Sequence, residues 1–202
     1  MIELKNITKS YNVEKNKKNT VLNDISLSIE AGQMLAVTGR SGAGKTTLMK
    51  LICGILKPRR GKIKTNGTVR YLVQNPLSIF TEITAEDELA VCCGRDPKAV
   101  EEMLEKMELT EFREQNPLDL SGGQQQRLAL GKVLLTKPEI LLLDEPTKGM
   151  DGGFKVKFGA MLRELKKQGT TTVLVSHDME FCAEYATYCG LMFDREIISF
   201  GP

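Results

Sequence analysis

The amino-terminal part of the chain alternates apolar and polar residues in two short stretches, residues 2–7 (IELKNI) and 25–29 (ISLSI). This alternation is typical of strands that have one face in the core and the other in solvent. Between them, a polar and lysine-rich stretch from Asn12 to Asn19 predicts a solvated hairpin loop. The chain is therefore expected to begin with an antiparallel β-sheet.

Three later stretches are apolar almost throughout, and each is followed by turn residues and then by a helical pattern. The apolar runs are 34–38 (MLAVT), 140–143 and 172–175. The helical patterns after them are 45–56, 153–167 and 178–188. Short, continuous apolar runs suit central strands of a parallel sheet that is covered on both faces. The alternation of strand and helix predicts an α/β domain whose ligands bind at the carboxyl ends of the strands.

Residues 84–135 show no convincing central strand, and their apolar residues recur at spacings of three and four. We interpret residues 75–137 as a helical subdomain inserted into a core that residues 1–74 and 138–202 form. The length of 202 residues, 41% of them apolar, is consistent with one such domain.

Composition removes several classes of function. The 28 basic and 26 acidic residues nearly cancel, so no strong basic surface for nucleic acid is expected. The single histidine, His177, excludes metal sites that need two histidines, and five cysteines without a C-x-x-C pair favour reduced thiols. No apolar run reaches the ~18 to 20 residues of a membrane span, and the first residues do not resemble a leader. We expect a cytoplasmic protein.

The first motif with a chemical meaning is GRSGAGKT, from Gly39 to Thr46. It satisfies the P-loop (Walker A) pattern G-x-x-x-x-G-K-[ST] and lies between a predicted strand and a predicted helix, as the motif requires. Its backbone N–H groups are expected to face a polyphosphate, with Lys45 at the β- and γ-phosphates and the Thr46 hydroxyl on Mg²⁺. The residues predicted to bind the nucleotide here are Gly39, Ser41, Gly42, Ala43, Gly44, Lys45, Thr46 and Thr47.

Two acidic residues, Asp144 and Glu145, follow the second apolar run. Asp144 is predicted to bind Mg²⁺ and Glu145 to polarise the attacking water. Alone, two acids at the end of a strand could merely begin a turn. The P-loop in the same chain favours the catalytic interpretation, because a polyphosphate and its metal ion need such an acid.

The segment LSGGQQQR, from Leu120 to Arg127, opens another helix. Ser121 is a suitable N-cap, and two glycines leave the first amides of the helix exposed, which describes a second anion site. One chain would then carry two phosphate-binding helix termini. The simplest explanation is that they serve one nucleotide from two different subunits.

These motifs, in this order, resemble the ATP-hydrolysing domain of ATP-binding cassette (ABC) transporters, and LSGGQ is the signature of that family. The resemblance implies the P-loop NTPase fold: a parallel-sheet core with an N-terminal antiparallel β subdomain and a short helical insertion. It also implies that two domains pair head to tail, as a homo- or heterodimer, with each ATP between the P-loop of one and the signature of the other. The residues implied to act on the partner's nucleotide are Ser121, Gly122, Gly123, Gln124 and Asp151.

The same resemblance assigns roles to three further positions. Tyr11 matches the aromatic residue that stacks on adenine, and His177 matches the histidine at the γ-phosphate. Gln74 matches the glutamine that touches Mg²⁺ and the attacking water. The implied catalytic residues of this Mg²⁺-dependent ATPase are thus Glu145, His177 and Gln74, and the implied Mg²⁺ ligands are Thr46, Gln74 and Asp144.

Two local patterns narrow the subfamily: QNPLSIF with TEITAEDEL after it, and the closing SHDMEFCAEYATYC. Both resemble the ATPases of energy-coupling-factor importers, which take up vitamins or transition-metal ions. The second is similar to the C-terminal half of tandem versions, which leaves open that the chain is a domain of a longer protein. The implied partners are a second cassette and a transmembrane transporter subunit, at the inner face of the membrane, and no nucleic acid is expected.

The chain departs from the family pattern at two places, and two other functions are compatible with its motifs. The stretch from Gln74 to Leu120 is shorter than in most family members. Lys148 adds a positive charge that is either solvated or at the dimer seam.

A non-transport ABC ATPase could act as a clamp on nucleic acid or the ribosome, although the chain has no long coiled-coil insertion and no dense basic stripe. A degenerate cassette could bind ATP without hydrolysing it, but the chemical residues Lys45, Asp144, Glu145 and His177 are all present.

Overall fold

A computed structural model describes residues 1–14 and 17–201 of the chain. The strands are β1 (Ile2–Glu14), β2 (Lys17–Ile29), β3 (Met34–Gly39), β4 (Arg60–Thr65), β5 (Val69–Leu72), β6 (Ile140–Asp144), β7 (Thr171–Val175), β8 (Tyr188–Phe193) and β9 (Glu196–Gly201). The helices are α1 (Lys45–Ile52), α2 (Ala85–Ala90), α3 (Pro97–Lys106), α4 (Gly122–Leu135), α5 (Gly152–Lys167) and α6 (Met179–Tyr185). Short 3₁₀ turns cover Pro76–Ile79, Thr110–Phe112 and Pro117–Asp119.

The strands form two sheets. An antiparallel sheet has the order β2-β1-β4, and a six-stranded sheet has the order β5-β6-β7-β3-β8-β9. Within the larger sheet all neighbours pair in parallel except β8 and β9. The predicted α/β fold with a parallel sheet and an amino-terminal antiparallel sheet is therefore confirmed.

The central strands are buried on both faces, which explains their continuous apolar runs. Every residue of β6 and β7 is buried. Alternate side chains enter different cores, because successive residues of a strand point to opposite faces. Leu141 and Leu143 pack with the helices α2 to α6, whereas Ile140 and Leu142 pack with α1 and the antiparallel sheet.

The amino-terminal hairpin differs from its prediction. Residues 12–14 and 17–19 continue the two strands, with Asn12 opposite Lys18, so the loop predicted for 12–19 is wrong there. A β-ladder satisfies backbone groups whatever the side chains are, so polar residues can extend it beyond the core. Residues 15 and 16 of that loop prediction lie outside the described residues.

The last predicted helix, 178–188, is also too long. Helix α6 ends at Tyr185, and Ala186 already has extended backbone angles (φ −72, ψ 149). Thr187 then donates its backbone N–H to the Met34 carbonyl at 2.7 Å, which leads Tyr188 into β8 opposite Leu35. Tertiary pairing with β3 therefore decides the conformation of a segment whose local pattern is helical. Helix α1 likewise ends at Ile52, four residues before its predicted end.

Helical elements alone lie between β5 and β6 in the described chain, and a buried ion pair ties them together. Glu88 of α2 is fully buried and pairs with Lys132 of α4. Its carboxylate also accepts the backbone N–H groups of Thr81 and Glu82, and Lys132 donates to the Ile79 carbonyl at 2.7 Å. The pair therefore anchors residues 79–82 to α4, the helix that begins at the signature.

We expect Lys132→Met to lower the free energy of unfolding by about 3 to 5 kcal/mol, because it leaves the carboxylate of Glu88 buried without its counter-charge. Urea unfolding measures the loss. The double variant Glu88→Leu/Lys132→Met should recover much of it, since two apolar side chains can replace a buried pair.

Arg113→Met is the matched control within the same segment. Arg113 pairs with Glu86 and Glu101, but all three side chains are between 35% and 42% exposed. Solvent-exposed pairs contribute little, so this variant should lose much less stability than Lys132→Met. If both variants lose the same free energy of unfolding, the stabilisation does not depend on the burial of the ion pair between Glu88 and Lys132.

Candidate functional site

Residues 39–44 connect β3 to α1 in a loop that packs closely on the antiparallel sheet. Three glycines have positive φ: Gly39 (146°), Gly42 (80°) and Gly44 (103°). A Cβ atom on Gly44 would lie 2.6 Å from the Leu22 side chain and 2.8 Å from the Val21 carbonyl oxygen. Residue 44 must therefore be glycine, both for its backbone angles and for its contact with β2.

Lys45 is held at the centre of this loop. Its residue is buried, and Nζ donates to the Gly39 carbonyl at 2.7 Å and to the Arg40 carbonyl at 3.1 Å. The ammonium group therefore remains at the mouth of the loop, where the backbone N–H groups of a P-loop also converge.

A cavity of about 280 Å³ lies over this loop, and we call it the phosphate cavity. It combines loop residues with residues that follow the carboxyl ends of β5, β6 and β7, as expected for a ligand site in a parallel sheet. All of its lining residues except Val21 were predicted from the sequence as site residues. They are Val21, Ser41, Gly42, Gly44, Lys45, Thr46, Thr47, Gln74, Asp144, Glu145 and His177.

Asp144 is almost fully buried, and two hydroxyl groups bind one of its oxygens. The Thr46 Oγ1 atom and the Tyr71 hydroxyl each lie 2.9 Å from Asp144 Oδ2. Burial, and then the charge of Asp144, raise the pKa of Tyr71, so its hydroxyl stays protonated and can donate. Tyr71 was not predicted from the sequence, because its contact depends on strand register. Tyr71 lies opposite Leu142, two residues before Asp144 on the same face.

Glu145 has a backbone conformation that is rare for its residue type. Its φ is 54°, in the left-handed region, and its N–H donates to the Val175 carbonyl at 2.8 Å. The carboxylate accepts the backbone N–H of His177 at 3.2 Å, and the His177 Nε2 atom lies 3.4 Å from Oε1. The strained backbone therefore turns the carboxylate toward His177 and into the phosphate cavity.

The residues present fit a magnesium ion bound together with a phosphate. Thr46, Gln74 and Asp144 offer hydroxyl, amide and carboxylate oxygens in one cavity, and Mg²⁺ prefers oxygen ligands. Within the described ranges, no group of three or more His, Cys, Asp or Glu side chains could hold a metal alone. A site with one carboxylate suits Mg²⁺, which usually takes its remaining ligands from phosphate and water.

The signature segment begins α4 with a capping box, which confirms the predicted N-cap. Ser121 Oγ accepts the Gln124 N–H at 3.4 Å, while Gln124 Oε1 accepts the Ser121 N–H at 2.8 Å. This exchange satisfies two backbone donors of the first turn and fixes the start of the helix.

The signature lines a second cavity of about 410 Å³, which we call the signature cavity. Its lining residues are Gln74, Asn75, Pro76, Gly122, Gly123, Gln125, Gln126, Lys148 and Gly149. Gln74 therefore borders both cavities. Ser121, Gln124 and Asp151, which were predicted to act beside the glycines, line neither cavity of this chain.

Three other predicted residues, Gly39, Ala43 and Tyr11, also lie outside the phosphate cavity, and Asp151 has a capping role. Gly39 only contributes its carbonyl to Lys45, and Ala43 lines a separate cleft beside the loop. Tyr11 is 40% exposed on β1 with Lys9 above its ring, at 5.3 Å from the centroid. Asp151 caps α5 by accepting the Phe154 N–H at 2.9 Å, and this hydrogen bond lowers the pKa of Asp151.

A larger cavity, of about 520 Å³, lies at the opposite edge of the sheet. Ala31, Pro138 and Gly169 line it, so it borders the amino ends of β3, β6 and β7. The side chains that can act on a phosphate, such as Lys45, Asp144 and Glu145, lie instead at the carboxyl ends of the strands, where the loops of a parallel sheet bind ligands. We therefore take the phosphate cavity as the functional site.

A parallel sheet with a P-loop after β3, two acids at the end of β6 and a signature segment that begins α4 is the arrangement of a nucleotide-binding cassette. Comparison with known proteins agrees. The model of the ABC transporter family matches residues 22–148. A Pyrococcus furiosus protein named as an ABC transporter ATP-binding protein is 37% identical over 221 residues, covering 100% of this chain and 83% of that protein. A Bacillus thuringiensis protein of the same description is 41% identical over 207 residues. The chain belongs to the ABC transporter family, as an ATP-binding domain.

Solved structures agree with this assignment. The cassette MJ0796, solved as a dimer in a post-hydrolysis state with ADP and Pi, superposes with a TM-score of 0.91 at 26% identity, covering 100% of this chain and 98% of that one. The alignment with the Bacillus protein covers 94% of this chain but only 37% of that relative, so the chain spans about a third of the relative's length. None of the helices in the described ranges is long and apolar enough to cross a membrane.

Two adjacent glycines of the signature should respond differently to substitution. A Cβ atom on Gly123 would lie 2.6 Å from the Gly149 carbonyl oxygen, whereas one on Gly122 would meet nothing within 4 Å. We expect Gly123→Ala to lower the free energy of unfolding by about 1 to 3 kcal/mol, since backbone must move. Gly122→Ala should leave it unchanged or slightly raise it, because alanine favours a helix. Chemical denaturation measures both, and similar losses would contradict the close packing.

Proposed function

We propose that this chain hydrolyses ATP between two cassettes paired head to tail and thereby powers a membrane importer. The observation that carries the proposal is the phosphate cavity, where the P-loop meets Gln74, Asp144, Glu145 and His177. A P-loop with a metal-binding acid and a second acid beside a histidine is the equipment that phosphoryl transfer to water needs. The pairing and the transport role rest on the family.

The P-loop binds the triphosphate. Its N–H groups and the Lys45 ammonium contact the phosphate oxygens, and the nucleotide phosphates replace the Gly39 and Arg40 carbonyls as partners of Lys45. Thr46, Asp144 and Gln74 would hold Mg²⁺, which would neutralise charge on the phosphate oxygens. The buried Asp144 suits this role because two hydroxyl groups already fix its orientation.

Glu145 acts as the general base. It accepts a proton from the attacking water, whose oxygen forms a bond to the γ-phosphorus while the bond to the bridging oxygen of ADP breaks. His177 lies against the Glu145 carboxylate and orients both the water and the γ-phosphate. The products are ADP and phosphate, and Glu145 then releases its proton to solvent.

The second cassette completes the site. The signature residues Ser121 to Gln124 contact the nucleotide on the partner's P-loop, and Asp151 crosses to the partner near them. Tyr11 stacks on adenine, in keeping with its exposed ring on the strand next to Val21 of the phosphate cavity. ATP binding thus closes the pair, and hydrolysis opens it.

The importer is of the energy-coupling-factor type, with a vitamin or a transition-metal ion as its solute. The support is the sequence resemblance around Gln74 and after His177, together with the family assignment. The cassette would then lie on the inner face of the membrane, docked to a transmembrane subunit through residues of the helical segment 75–137.

Glu145→Gln tests the catalytic assignment. The variant should bind ATP as tightly as the parent chain, because Lys45 and the loop are unchanged. It should lose hydrolysis by roughly 10² to 10⁴-fold, since a glutamine cannot accept the proton, and should accumulate an ATP-bound pair. Phosphate release measures turnover, and fluorescent-nucleotide titration measures binding.

Glu180→Gln is the matched control. Glu180 is an exposed acid in the first turn of α6, near His177 but outside the phosphate cavity. It should keep the parent rate. If Glu145→Gln hydrolyses ATP as fast as this control, Glu145 is not the base.

Depletion of the chain in its source cell tests the transport role. Uptake of one labelled vitamin or transition-metal ion should fall, and restoring Glu145→Gln should fail to rescue it. The purified complex with its membrane subunits should hydrolyse ATP faster than the chain alone. A rate that rises with DNA or RNA instead, in a salt-sensitive way, would indicate a clamp on nucleic acid.

A further inference from the structure

The signature cavity has the electrostatic character of an anion site. Its described lining residues include no acidic side chain, and they include one cation, Lys148. The first turn of α4, a helix of 14 residues, borders it at Gly122 and Gly123. The positive end of the helix and the lysine therefore act on the same space.

A buried amide in the same cavity lacks a partner. Gln126 is only 3% exposed, and its Nε2 atom makes no hydrogen bond to any residue that the structure describes. Buried donors are nearly always satisfied, so an oxygen atom from outside the described chain is expected beside it. Gln126 also lines the signature cavity, so the unpartnered amide and Lys148 belong to one cavity.

Lys148 is held in place by a tight turn. Its N–H donates to the Glu145 carbonyl at 3.2 Å, and the Met150 N–H donates to the Thr147 carbonyl at 3.2 Å. The next residue, Gly149, packs against Gly123, since a Cβ atom added to Gly123 would lie only 2.6 Å from the Gly149 carbonyl oxygen. The turn that carries Lys148 is therefore packed directly against the signature.

The Lys148 side chain is exposed, and no acidic group in the described ranges forms an ion pair with it. Its charge is therefore not neutralised by the described residues. An exposed lysine that shares a cavity with the first turn of a helix is available to an anionic ligand.

We propose that Lys148, supported by Gln126, is an additional nucleotide-binding residue that contacts the terminal phosphate of ATP on a second copy of this chain. The inference rests on the proposed head-to-tail pairing and deepens it. The ammonium supplies a positive charge that backbone N–H groups cannot, so it strengthens ATP-dependent pairing and distinguishes ATP from ADP.

The experiment compares two proteins, Glu145→Gln alone and Glu145→Gln/Lys148→Met, by sedimentation with ATP and Mg²⁺. Loss of one charge-assisted contact should weaken ATP-dependent association about tenfold or more. The association should also become less sensitive to salt, because the removed contact is partly exposed. Binding of a fluorescent ATP analogue to the dissociated chain should not change, since Lys148 acts on the partner's nucleotide.

Lys148→Arg and Lys167→Met, each in the Glu145→Gln background, are the controls. The arginine keeps the charge and should restore most of the association. Lys167 ends α5, is 75% exposed and lies away from both cavities, so its loss should have no effect. If Lys167→Met weakens the ATP-dependent association as much as Lys148→Met does, the effect comes from net charge alone, and the proposal is overturned.

The remaining outcomes separate this inference from the proposed function. If Glu145→Gln alone fails to associate with ATP, the proposed pairing of two copies is wrong, and the inference falls with it. If it associates and Lys148→Met does so equally well, only the inference is overturned. A third arm adds ADP with inorganic phosphate. Association supported by free phosphate as well as by ATP would assign the cavity to phosphate and not to the nucleotide.

Discussion

The in-register pairing of β3, β6 and β7 is the constraint on which the site depends. Val175 lies opposite both Val37 and Asp144, so three distant segments of the chain reach one edge of the sheet at the same level. The P-loop, Glu145 and His177 each follow within two residues of these positions. A register slip of one residue would exchange side chains between the two cores, so burial on both faces holds the alignment.

Most of the phosphate cavity could be predicted from the sequence because its residues come directly after apolar runs. Asp144 and His177 end such runs, and the carboxyl ends of parallel strands must meet at one edge. Tyr71 could not be found this way, since nothing in VRYL tells which residue of β6 it faces. The same reason hides Val21, which reaches the cavity only because β2 packs against the P-loop.

The fold shows the same division between local and long-range information. Central strands were predictable from their hydrophobic runs, whereas β8 and β9 were not, because their partners lie far away in sequence. Tyr188 continues a helical pattern, yet its pairing with Leu35 makes it a strand residue. Local propensity is a weak prior that tertiary contacts override.

Two features link the phosphate cavity to the signature cavity: Gln74, and the turn at residues 148–149, which lines the signature cavity soon after Glu145 of the phosphate cavity. Gln74 borders both cavities, and the segment that follows it is anchored by Lys132 to the same helix that carries the signature. If α4 shifts relative to the core, either the segment after Gln74 must shift with it or the contact between Gly123 and Gly149 must break. The buried pair and the glycine contact thus hold the signature helix against both the segment after Gln74 and the turn after Glu145.

The two adjacent acids differ in their surroundings, and this difference supports a division of roles. Asp144 is buried and receives two hydroxyl hydrogen bonds on one oxygen, which fix the orientation of its carboxylate. Glu145 receives no hydroxyl donor among the described residues and contacts only His177 at its carboxylate. Asp144 is thus held in one orientation by two hydroxyl donors, whereas Glu145 lies beside His177 in the phosphate cavity, in keeping with the metal-binding and base roles proposed for them. The left-handed turn at Glu145 produces this contrast, because it directs two consecutive side chains into different environments.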